Sequence, residues 1–127
     1  MSFSVSVREH VMIAHSLDSD FFGPAKRLHG ATYVVSASFH AEHLNEFNVV
    51  VDIGAAHDAL RDALAPLAYQ NLDALPVFAG QLTTTEFLCQ WIHEQVSARL
   101  EAGNVERLTI ELKESHVAWA EYSAPLS

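Results

Sequence analysis

Eight histidines outnumber the seven lysines and arginines in this chain of 127 residues, and two of them, His15 and His29, stand where their imidazoles could meet. His15 continues an alternating row through Val11 and Ile13, and His29 opens a second alternating stretch. If the two stretches pair as neighbouring strands, both rings fall at one end of the sheet. Two neutral imidazoles side by side begin a metal site. Divalent metals usually take three protein ligands, so a pair of loop-edge histidines bonded to backbone is the competing reading. Glu114 ends the row Leu108, Ile110, Leu112, and a carboxylate there offers two acceptors to a ligand with two parallel donors. A strand-end glutamate reaching solvent is the plainer alternative. His116 shares the parity of Glu114 and is either a turn histidine or an acid, base or third ligand at the mouth of the same site. His10 lies five residues from His15 and points to the opposite face, while His40, His43, His57 and His93 sit in contexts that predict solvated rings. Cys89, inside a helical pattern, reads as a buried and inert thiol.

The elements that must hold these residues follow from periodicity. Phe3 to His15 alternates apolar and polar, the mark of a strand. Ser16 to Leu28, with Asp18, Ser19, Asp20, Gly23 and Pro24, is predicted as a surface loop. His29 to His40 is rich in β-branched and aromatic residues and predicts a second long strand. Ala56, Ala59, Leu60, Ala63 and Leu64 recur at helical spacing until Pro66, and residues 67–81 read as irregular. Thr83 and Glu86 then match a capping box that opens an amphipathic helix running to Gly103. Leu108 to Lys113 and Ala118 to Tyr122 supply two more strands. The order β-β-α-α-β-β predicts a single α+β domain over residues 1–127, with a four-stranded antiparallel sheet and both helices on one face. Nothing in the sequence covers the sheet edges, so association with further copies is expected.

Composition narrows the partners. The chain is 50% hydrophobic and 18% charged, with a formal charge of -9, and its cations are scattered, so no stripe exists to bind nucleic acid or an anionic membrane. No run approaches about 18 apolar residues, no leader-like start is seen, and the lone cysteine fits a reducing compartment. These features predict a cytoplasmic protein.

Five segments carry a resemblance. Met12-Ile13-Ala14-His15-Ser16-Leu17, Arg27-Leu28-His29-Gly30, Val51-Asp52-Ile53, Thr84-Thr85-Glu86-Phe87-Leu88, and Glu114-Ser115 with Ala120-Glu121-Tyr122 stand in an order and spacing that resemble the 6-pyruvoyl-tetrahydropterin synthase and 6-carboxytetrahydropterin synthase family. The resemblance spans nearly the whole chain. It implies the tunnelling fold, in which four-stranded sheets join as a trimeric barrel, two trimers stack, and active sites lie at subunit interfaces. It implies a pterin held by Glu114 through its 2-amino and N3 groups, with Thr84 and Thr85 lining the pocket.

The resemblance also implies zinc held by three histidines, at the places of His15, His29 and Ala31. Alanine leaves that shell incomplete, and zinc is doubtful for this chain. The family's proton-transfer cysteine falls at Ala25, and its Asp-His pair at Ala68 and Tyr69. No catalytic residue therefore survives by the family pattern, and three functions stand open. The first is a pterin-binding protein without the family's lyase chemistry. The second is an enzyme of altered chemistry on a pterin-like substrate, using Glu114 with His116 or the Tyr69 hydroxyl. The third is a non-catalytic interaction protein.

Overall fold

A computed structural model describes residues 1–126. Two strands of thirteen residues, β1 (Phe3–His15) and β2 (His29–Ala41), pair antiparallel along their whole length, from Phe3 opposite Ala41 to His15 opposite His29. The helix α1 (Ile53–Leu64) follows, then a two-residue strand β3 (Gln70–Asn71), the helix α2 (Thr85–Ser97), and the strands β4 (Arg107–Ser115) and β5 (Ala118–Ala124). The sheet order is β3-β1-β2-β4-β5. All neighbours are antiparallel except β3, which runs parallel to β1 at Ile13 and Ala14. The α+β class and the β-β-α-α-β-β frame are as the sequence predicts; β3 is the fifth strand that the four-stranded expectation lacks. Two residues carry no periodicity, so a strand of that length leaves no signal.

Period two sorts the sheet into faces. Val7, Val11 and Ile13 from β1, Tyr33, Val35, Ala37 and Phe39 from β2, and Leu108, Ile110 and Leu112 from β4 are buried and meet the apolar faces of α1 and α2. The other face is polar and knitted by hydroxyls: Ser6 Oγ lies 2.6 Å from Ser38 Oγ, Arg8 Nε donates to Ser36 Oγ at 3.0 Å, and Thr109 Oγ1 lies 2.9 Å from Ser123 Oγ.

Local chemistry sets the helix ends. Asp52 caps α1 by accepting from the Gly54 amide, and Pro66, which has no N–H, follows its end. The cap of α2 is Thr84, whose Oγ1 accepts from the Phe87 amide at 3.1 Å. The predicted cap, Thr83, has its hydroxyl drawn instead to His15. Nor does α2 reach Gly103. The Arg99 and Leu100 amides bond three residues back, to Val96 and Ser97, so the final turn tightens, and Gly103 serves a separate turn at φ 54. The stretches expected to be irregular are built of short 3-10 turns. In the first, Leu17 N donates to Ala25 O at 3.0 Å and closes the loop; in the second, Leu67, Leu72 and Phe78 are buried.

Candidate functional site

The β1·β2 register brings His15 and His29 together at the open end of the sheet, with ring centroids 4.7 Å apart and planes inclined at 64°. His15 is only 3% exposed. Its Nδ1 lies 2.9 Å from Thr83 Oγ1, and its Nε2 lies 3.5 Å from the Tyr33 hydroxyl. Burial first, and the neighbouring His29 second, hold its pKa below the ordinary value of 6.5, which favours a neutral ring. His29 is half-buried, and its Nδ1 lies 2.8 Å from the Arg27 carbonyl. A carbonyl can only accept, so Nδ1 carries a hydrogen there. Burial, then the charge of Glu114, keep the Tyr33 hydroxyl protonated well above the usual range.

These residues open on a cavity of about 270 Å³. His15, His29 and Tyr33 form one side; Thr84 and Thr85, from the start of α2, meet Glu114 at another. Glu114 lies at a register shift in the β4·β5 pairing, between Lys113 and Ser115. It is exposed, at the rim, rather than at the end of a buried row. A second cavity of about 360 Å³ shares Thr85, Glu86 and Glu114 with the first and continues to Ala118 and Trp119. The Ser16–Leu28 loop contributes Leu17, Phe22 and Ala25 to the first cavity. It is anchored where Asp73 accepts from the Ser16 amide at 3.0 Å and the Ser16 hydroxyl at 2.6 Å.

The remaining candidates lie apart. His116 is exposed in the β4·β5 turn and lines neither cavity. Tyr69 is 83% exposed with a left-handed backbone at φ 59, and its amide donates to Met12 O at 2.7 Å. Ala68 faces a different cavity, beside Glu9, His10 and Arg61. Ala31 stands opposite Ile13, two residues along β2 from His29. His93, expected in solvent, is 3% exposed: its Nε2 donates to the Ala124 carbonyl at 3.1 Å and its ring packs on Tyr122. His40 bonds Thr109, and His57 pairs with Glu9 at 3.0 Å, so neither is simply solvated. Sequence reasoning missed Tyr33 and Thr83. Tyr33 shares parity with His29, the one signal that pointed to it; Thr83 comes from a loop distant in sequence and gave none.

Among the described residues, no three His, Cys, Asp or Glu side chains gather as a metal-binding group. His15 and His29 provide two nitrogen donors and Ala31 provides none. Within one chain this set does not fit a zinc ion held by three protein ligands.

The 6-pyruvoyl tetrahydropterin synthase family profile matches residues 4–125. The chain belongs to the 6-pyruvoyl tetrahydropterin synthase family. Solved structures agree on the fold of this family member. It superposes on the Caenorhabditis elegans 6-pyruvoyl tetrahydropterin synthase with a TM-score of 0.85 at 18% identity, covering 98% of this chain and 96% of that one. The Plasmodium falciparum 6-pyruvoyl tetrahydropterin synthase gives 0.82 at 16% identity, with 98% of each chain covered. A dihydroneopterin aldolase from Burkholderia thailendensis, bound to guanine, gives 0.56 at 11% identity, covering 98% of this chain and 91% of that one. No curated protein matches this family member by sequence. No helix among the described residues is long and apolar enough to cross a membrane.

Proposed function

We propose that this protein binds a pterin or a closely related heterocycle in the cavity between His15, His29 and Glu114, without the lyase mechanism of the enzymes it is similar to. The observation that carries the reading is the convergence of the Glu114 carboxylate, Thr84 and Thr85 with the two imidazoles around one cavity of about 270 Å³. A carboxylate at the rim suits the paired N–H donors of a pterin edge, and a space of that size, near the lower end of small-molecule pockets, suits a flat heterocycle. The absence of lyase chemistry rests on Ala25, Ala68 and Tyr69 standing at the proton-transfer positions of the resemblance; general acid-base steps are worth about 10² to 10⁴-fold each. Zinc is not part of the reading, because Ala31 leaves the two imidazoles without a third donor.

The reading includes a homo-oligomer. Strand directions alternate across β1-β2-β4-β5, so copies placed head to tail around an axis would join β5 of one to β1 of the next in antiparallel sense. β3 covers only the Ile13–Ala14 end of the β1 edge, and a ring, as a trimer or a pair of stacked trimers, removes both open edges. The acidic charge and scattered cations support the lack of a nucleic-acid or anionic-membrane partner, and the lone Cys89 supports a reducing, cytoplasmic compartment.

Turnover tests the central part of this reading. Incubated with 7,8-dihydroneopterin triphosphate, the protein should return it unchanged. Conversion at ordinary enzyme rates, about 1 to 10³ per second, would refute the non-lyase reading.

A further inference from the structure

Thr83 precedes α2, and its hydroxyl reaches back to a residue 68 positions away. It is 1% exposed, and its Oγ1 lies 2.9 Å from Nδ1 of His15, itself buried. The contact therefore belongs to the interior of one chain, out of reach of any neighbouring copy. Capping α2 falls to the next residue, Thr84, through the Phe87 amide. The cavity wall also starts at Thr84, so Thr83 stands behind the wall and holds a residue that forms it.

The imidazole it holds governs two others. His15 Nε2 lies 3.5 Å from the Tyr33 hydroxyl, and the His15 ring meets that of His29 edge to face at 4.7 Å. All three line the cavity. The outer torsion of a histidine is broad and two-fold. Turning it by half a circle would exchange Nδ1 with Cδ2 and Nε2 with Cε1, and the ring would then meet Tyr33 with carbon. The Thr83 bond selects the orientation that places nitrogen there. In a neutral imidazole one nitrogen donates and the other accepts, so the direction of the Thr83 bond also sets the direction of the Tyr33 contact.

We infer that Thr83 is a positioning residue of the pocket: its hydroxyl locks the His15 ring, and through it fixes how the Tyr33 hydroxyl and the His29 ring meet the ligand. The inference rests on the pterin-pocket reading and adds to it a residue that touches no ligand. Supporting contacts of this kind hold a binding group in one rotamer.

Two readouts on the assembled protein test it, solid-state nitrogen-15 spectra with labelled histidine and titration with 7,8-dihydroneopterin. In the wild type the His15 ring should give one unaveraged pair of nitrogen resonances, the pattern of a single tautomer, assigned by their loss in His15→Gln. Thr83→Val, similar in shape but without the hydroxyl, should average that pair and weaken binding about 3- to 10-fold, the cost of one hydrogen bond. Thr83→Ser should return both readouts to the wild-type values. A Thr83→Val protein that loses stability with both readouts unmoved overturns the inference and leaves the pterin pocket standing. Should that variant fail to fold, an averaged ring in the wild type or in Thr83→Ser overturns it equally. A wild type that binds no 7,8-dihydroneopterin refutes the pocket reading itself, and this inference with it.

Discussion

His15 sits among groups that make its charge costly, and that has a measurable consequence for stability. Burial and the neighbouring His29 depress its native pKa below 6.5, whereas the unfolded chain leaves it at its ordinary value. Above about pH 6.5 both states hold a neutral ring and the group is silent. As pH falls below that, the unfolded state takes up a proton that the native state resists, so stability is lost with falling pH. The urea midpoint should therefore drop more steeply between pH 7 and pH 5 in the wild type than in His15→Gln. Equal slopes would contradict the assigned environment. The pairing of His15 with His29 was legible, because alternation fixes parity and a hairpin-like pair fixes proximity. Thr83 was not, since a threonine three residues before a glutamate looks like a cap, and nothing local reveals a histidine 68 residues away that takes its hydroxyl. His93 was misjudged for the same reason: its partners, Ala124 and Tyr122, come from β5.

At the scale of elements, the start of α2 joins fold to site. Thr84 closes the helix through the Phe87 amide and lines the cavity with the same side chain. Thr84→Ala should cost about 1 kcal/mol in chemical denaturation, and Thr84→Ser should recover most of it. A Thr84→Ala variant of unchanged stability would place the cap elsewhere. The long strands and both helices were readable because ten or more residues sustain a period in each. Register, the short β3 and the bulge at Glu114 were not, because they are decided by neighbours across the sheet. Alternation places Glu114 on the inward row with Leu112; that it is itself the unpaired residue of the bulge, exposed at the rim of the cavity, is visible only in the structure.

For the whole molecule, the proposed ring accounts together for the open edges of β1 and β5 and the polar face of the sheet. A ring would join the edges and turn the hydroxyl-lined face inward, while the cavities, at the end of the sheet, would lie near the seams. Light scattering should therefore give a mass that is a multiple of three chains of 14.0 kDa; a monomer across micromolar concentrations would contradict the ring. Whether the cavity holds a pterin through Glu114, as proposed, is decided by titration of 7,8-dihydroneopterin into the assembled protein. One molecule should bind per chain, and Glu114→Ala, by removing charge-assisted hydrogen bonds, should weaken binding at least about 10-fold. Undiminished binding in Glu114→Ala, or no binding to the wild type, would contradict the proposal.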